Sequence, residues 1–165
     1  MTIEDVSRRG LFLLDCGKMG SAMLAGWLGN GMLKSSVHIM DPYPSDWLKD
    51  LDVNLNLGVP DVPAVALLAV KPQMMGDALP SVAALGGGGT LVLSVAAGTP
   101  ISVYEATFGK NTPIIRAMPN TPAAIGKGIT AIVGNQAATE SHLTLAETLL
   151  SAIGQVVRLD HEDQM

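Results

Sequence analysis

Charge, aromatic rings and cysteine are all scarce in this chain, and each scarcity excludes something. Ten basic and fifteen acidic residues make 15% of 165 positions, against about 25% in ordinary globular domains. With 48% hydrophobic residues, the chain has too little charge and too much apolar surface to remain disordered. No block of like charges marks an interaction tail. A net charge of −5 without a basic stripe argues against nucleic acid as a partner. The single Cys16 has no internal partner for a bridge, which fits a reducing, cytoplasmic setting. No apolar run reaches the roughly 18 residues that cross a membrane. Arg8-Arg9 precede only four apolar residues, Leu11 to Leu14, before Asp15, which is too short for an export signal. His38, His142 and His161 are scattered. We find no Ser-His-Asp set, no metal-ligand spacing and no paired carboxylates suited to another chemistry, so no metal is expected.

What the chain has in quantity is glycine and proline, 18 and 10, the residues of tight turns and close packing. Short apolar runs alternate with longer, small-residue stretches. Leu11–Leu14, Val37–Met40, Val53–Leu57, Ala66–Val70, Thr90–Val95, Ile114–Ala117, Gly128–Val133 and Gln155–Leu159 read as strands, several of them unbroken apolar runs of the kind buried on both faces of a parallel sheet. Between them, Met19–Leu28, Ser45–Leu51, Gln73–Leu85, Pro100–Phe108 and Thr139–Ala152 read as helices. Pro100 is tolerated in a first turn, and Thr139 is a natural cap. Such alternation predicts an α/β fold: a doubly wound, mostly parallel sheet of about eight strands with helices on both faces.

The turn after the first strand reads Asp15-Cys16-Gly17-Lys18-Met19-Gly20. A G-x-G-x-x-G pattern between a strand and a helix binds a dinucleotide pyrophosphate on exposed amides. Gly17 lets the backbone approach the ligand, and Gly20 lets the helix lie close to the strand. Asp15 stands where the pattern has its first glycine, so the match is partial, and a plain strand–turn–helix is the competing reading. No His neighbours Cys16 to activate it, so it reads as a turn residue. Asp41, 21 residues after Gly20 and directly after the second strand, is placed to take an adenine-ribose 2′-hydroxyl. The loop from Asp41 to Ser45 has no Arg for a 2′-phosphate, which tilts the reading towards NAD over NADP.

Three more segments close predicted strands at the edge where open α/β sheets bind ligands: Leu68-Ala69-Val70-Lys71-Pro72-Gln73, Ser94-Val95-Ala96-Ala97-Gly98 and Arg116-Ala117-Met118-Pro119-Asn120-Thr121-Pro122-Ala123. In this order, with Gly126-Lys127-Gly128-Ile129-Thr130 after them, they resemble the pyrroline-5-carboxylate reductase family over about residues 10–160. The resemblance implies a Rossmann-like domain and hydride transfer from NADP or NAD, in reduced form, to the C=N carbon of 1-pyrroline-5-carboxylate, giving L-proline. It assigns the cofactor to Cys16, Gly17, Lys18, Met19, Gly20, Asp41, Asn56, Ala69, Val70, Lys71, Pro72, Ala97 and Asn120. Lys71, Met118, Pro119 and Asn120 are expected near the nicotinamide and substrate, with no catalytic residue certain.

By the same resemblance, residues 1–10 are an N-terminal arm, 11–160 the cofactor domain and 161–165 the start of a connection. In the family a helical domain follows, which binds the substrate carboxylate and forms the homodimer or higher homo-oligomer. None of it lies within the 165 residues, so the chain alone is expected to be inactive. Two alternatives stand beside this reading: a non-catalytic dinucleotide-binding module, and another imine or hydroxyacid reductase with the same cofactor domain.

Overall fold

The computed structural model describes residues 2–120 and 127–165. Thr121, Pro122, Ala123 and Gly126 of the motifs above lie outside them. The first element is a helix, α1 (Ile3–Arg9), where the sequence reading has an arm. Thr2 and Asp5 form a reciprocal capping box at its start, and Val6 is fully buried. Strand β1 (Leu11–Leu14) leads through the glycine turn into α2 (Lys18–Gly29). There follow β2 (Val37–Met40), α3 (Asp46–Lys49), β3 (Asn54–Leu55), β4 (Val65–Leu68) and a single helical turn, α4 (Met75–Ala78). The second half comprises β5 (Leu91–Ser94), α5 (Ile101–Phe108), β6 (Ile114–Met118), β7 (Gly128–Gly134), α6 (Glu140–Leu150) and β8 (Gly154–Arg158).

Eight strands form one sheet in the order β3-β2-β1-β4-β5-β6-β7-β8. β1 to β6 are parallel, β7 pairs antiparallel with β6, and β8 runs parallel to β7. Because side chains alternate across a strand, Leu11 and Leu13 enter one core, with Met23, Trp27, Leu145 and Leu149 from α2 and α6. Phe12 and Leu14 enter the other, with Met75, Leu79, Tyr104 and Phe108 from α4, its continuation and α5. Helices therefore cover both faces, as expected.

Three elements differ from the sequence reading. The stretch expected as one helix from Gln73 to Leu85 is a 3₁₀ turn (Pro72–Met74), α4, then a second 3₁₀ segment (Leu79–Leu85). Pro80 lacks an N–H and its ring opposes the carbonyl four residues back, so α-helical bonding cannot run through it. β3 has two residues instead of five, because Asp52 and Asn56 take left-handed φ values of 60° and 56° on either side of it. β4 ends at Leu68, which leaves Ala69 and Val70 in the loop beyond its carboxyl end.

Two contacts lock α2 against α6 and the 3₁₀ turn that follows it. The buried Trp27 indole donates to the Leu149 carbonyl at 2.8 Å. At Gly26 a Cβ would stand 2.7 Å from the Ala152 Cβ, so only glycine permits this approach. Trp27→Phe fills most of the same volume but deletes the donor, and is expected to cost about 1–2 kcal/mol. Urea unfolding checks this, and an unchanged midpoint would show that the bond contributes nothing.

Candidate functional site

The strand order reverses at β1, whose neighbours are β2 and β4. A crevice forms there, because the connections from adjacent strands leave to opposite faces. Two adjoining clefts occupy that position. One, of about 460 Å³, is chiefly apolar, with Leu14, Met40, Val70, Met74 and Ala78 in its walls. The other, of about 510 Å³, has more polar residues in its walls, with Cys16, Gly17, Lys18, Ser21, Asp41 and Ser45. Asp15, Pro42, Tyr43 and Lys71 border both.

The glycine turn is built as its composition requires, with one exception. A Cβ on Gly17 would meet nothing within 4 Å, so this glycine leaves open space above the turn. Gly17 is the N-cap of α2 and offers no side-chain cap, and the first turn of α2 has no acid. That helix start therefore presents its positive end to the cleft. Gly20 faces inward, where a Cβ would lie 3.4 Å from the Asp15 carbonyl and 3.6 Å from the Cys16 sulfur. The exception is Asp15, whose φ of 69° places a side chain in the left-handed region that glycine occupies freely.

Asp15 and Asp41 converge on one donor. The Cys16 N–H reaches Asp15 Oδ1 at 2.8 Å and Asp41 Oδ2 at 3.2 Å. Burial, and then the Asp41 carboxylate beside it, raise the Asp15 pKa above the usual carboxylate range. Asp41 also accepts the Tyr43 N–H at 2.9 Å. Burial pushes the Cys16 thiol up to about 11, so it stays protonated at neutral pH and is no nucleophile.

The structure brings Cys16, Gly17, Lys18, Asp41, Val70 and Lys71 to these two clefts. Met19 and Gly20 continue into α2, Ala69 is half-buried, and Pro72 is exposed at the start of the 3₁₀ turn. Asn56 is exposed and does not border either cleft. Its side chain instead clamps the Asp41 backbone, accepting the Asp41 N–H at 2.8 Å and donating to the Asp41 carbonyl at 2.9 Å. Ala97, Met118, Pro119 and Asn120 follow or end β5 and β6, on the same sheet edge but farther along it. Asn120 Oδ1 accepts the Ile129 N–H at 3.0 Å.

The apolar wall was not legible in the sequence, because Met40, Met74 and Ala78 belong to no motif. A second missed feature is Glu162. One of its oxygens accepts the Ile101 N–H at 2.7 Å and the Arg116 guanidinium at 3.0 Å. Nearby, Tyr104 and Ser94 share a 2.5 Å hydroxyl contact in the core, and burial raises the tyrosine pKa.

No protein-family model matches the chain. Pyrroline-5-carboxylate reductase of Haemophilus influenzae is 33% identical to it over 154 residues, covering 90% of this chain and 57% of that protein. The solved structure of a pyrroline-5-carboxylate reductase from Coxiella burnetii superposes with a TM-score of 0.87 at 26% identity, over 94% of this chain and 60% of the other. The Plasmodium falciparum pyrroline carboxylate reductase, solved with NADP bound, gives 0.81 at 20% identity, over 96% of this chain and 60% of that one, a likeness of fold. The chain thus spans somewhat more than half the length of the relatives it matches. By sequence along nine tenths of its length, and by a shared arrangement of strands and helices, the chain belongs to the pyrroline-5-carboxylate reductase family.

Proposed function

We propose that residues 11–160 are the dinucleotide-binding unit of an NAD(P)H-dependent reductase that converts 1-pyrroline-5-carboxylate to L-proline. The observation that carries this reading is the uncapped start of α2, with Gly17 in open space, at the point where the strand order reverses. That geometry fits a pyrophosphate, with Lys18 in the first helical turn as a further cation. The apolar cleft beside it, bordered by Tyr43, Val70 and Met74, fits a flat heteroaromatic base.

A reduced nicotinamide supplies a hydride, and an imine carbon is the acceptor this family provides. The chain's own part is to hold and orient. Pro72 and Pro119 fix φ on either side of the sheet edge, so adjacent amides and carbonyls keep their directions. The Ile129 N–H fixes the Asn120 side-chain oxygen Oδ1, which leaves the Asn120 NH₂ group as an oriented donor. Substrate capture and assembly into a homodimer or larger homo-oligomer are assigned to the part of the relatives that this chain does not span. Among the described residues no helix is long and apolar enough to cross a membrane. The buried, free Cys16 fits a cytoplasmic enzyme.

Amide chemical-shift mapping with NADH and with NADPH tests the placement. Shifts are expected at Cys16–Ser21, Asp41–Ser45, Val70–Lys71 and Met118–Asn120. Perturbations confined to other parts of the chain would overturn it.

A further inference from the structure

We infer that Tyr104, buried in α5, is a positioning residue for the nicotinamide half of the cofactor, its hydroxyl holding the shape of the loop after β5. This rests on the dinucleotide reading above and extends it to a side chain that belongs to no motif. The loop, residues 95–99, joins β5 to α5 and carries Ala97. Both of its flanks are anchored. Val95 and Ala96 are buried, and the Val95 N–H donates to the Leu68 carbonyl at 3.1 Å. At the other flank Pro100, with its fixed φ, caps α5, and the Ile101 N–H is held by Glu162. Between the flanks Ala97 and Gly98 are exposed, and Gly98 turns the chain with a φ of 77°.

The direction of that exposed tip is set from inside the core. Ser94 Oγ accepts the Ala96 N–H at 3.2 Å, so the last side chain of β5 shapes the start of the loop. The same oxygen shares the 2.5 Å contact with the Tyr104 hydroxyl. Ser94 and Tyr104 are both fully buried, so bulk water does not compete for either partner. Thr99, at the other end of the loop, bears on the same phenol. Burial raises the Tyr104 pKa, and hydrogen bonding with Ser94 and then with Thr99 opposes the rise. One hydroxyl is thus engaged from both ends of the loop, by a helix that starts directly after it. Packing alone does not explain this group, because a phenylalanine ring fills the core as well and a buried hydroxyl costs free energy unless it is bonded. A loop held in shape beforehand loses less binding energy to ordering when a ligand arrives. The ligand part that gains is the one meeting Ala97 and Gly98, farther along the sheet edge than the glycine turn.

Tyr104→Phe keeps the ring and removes only the hydroxyl. The probes are NADH and ADP, which has the adenine and two phosphates but neither the second ribose nor the nicotinamide. In amide-shift titrations, Tyr104→Phe is expected to weaken NADH about fivefold and to leave ADP within about twofold. The NADH-induced shifts at residues 96–98 are expected to fall by about half or more, while those at residues 16–20 persist. Should Tyr104→Phe fail to fold, the double variant Ser94→Ala/Tyr104→Phe removes both hydroxyls together, leaves neither buried without the other, and carries the same test. Equal losses for NADH and ADP mark a merely structural side chain and overturn the inference. So does unchanged NADH binding. If ADP binds too weakly to titrate, the shift map decides: shifts lost evenly at both segments overturn the inference. Each of these outcomes leaves the dinucleotide reading intact. If the unaltered chain binds neither probe, that reading fails and this one with it.

Discussion

Asp15→Gly is expected to tighten NADH binding by about tenfold or more. Asp15 stands at the mouth of the turn where the pyrophosphate is proposed to lie. Two unit charges about 4 Å apart repel by about 1 kcal/mol in water and about 4 kcal/mol at an effective dielectric of 20, and one decade of affinity is about 1.4 kcal/mol. Glycine also adopts the 69° φ of this position without a side-chain penalty. Asp15→Asn separates the two causes. Asparagine tolerates the left-handed region and still accepts the Cys16 N–H, but carries no charge. If repulsion dominates, Asn recovers most of the gain; if turn geometry dominates, only Gly does. Three equal dissociation constants in a fluorescence titration would refute the argument.

The same carboxylate has a signature in stability. Its pKa is raised in the folded chain, so the native state keeps a proton that the unfolded chain has lost. Between the ordinary carboxylate pKa near 4 and the raised value, the native state binds more protons and stability falls as pH rises. That decline is expected to shrink in Asp15→Asn, as read from urea midpoints across acidic pH.

Gly154→Ala is expected to be the most damaging small substitution, at about 4 kcal/mol. The position has φ 135°, a region that side chains avoid at a cost of about 1–3 kcal/mol. A Cβ there would stand 2.0 Å from the Gly128 carbonyl oxygen and 2.6 Å from its nitrogen. Both clashing atoms are backbone, and Gly128 and Gly154 are register partners at the start of β7 and β8. Relief therefore requires the two strands to part where they begin. Gly29→Ala, in α2 with nothing within 4 Å of the new methyl group, is the control and is expected to stabilise by up to about 1 kcal/mol. A Gly154→Ala protein with an unaltered urea midpoint would contradict the clash.

How far the sequence is readable depends on the range of the interaction involved. β1 is legible because Leu11–Leu14 is an unbroken apolar run and both faces of the sheet are covered. The position of Asp15 as an irregularity is legible too, since the glycine pattern is local. α1 was within reach, as Thr2 and Asp5 have the spacing of a capping box. By contrast, the role of Asn56 depends on Asp41, 15 residues earlier, and on a two-residue strand whose ends are set by backbone handedness. The Glu162 contacts join positions 46 and 61 residues apart, and no spacing rule covers such pairs.

Glu162 has a mechanical consequence. A single oxygen atom is the junction of three stretches: the start of α5, the middle of β6, and the chain after β8. Around it, Leu159 and Met165 rest on the core that contains Phe12 and Tyr104. A pull on residues 160–165 would bear first on Ile101 and Arg116, in the segments whose neighbours Ala97 and Met118 lie farther along the sheet edge from the two clefts. The Ile101 amide hydrogen is the gauge of that linkage, because its exchange with deuterated solvent counts how often the tail lets go.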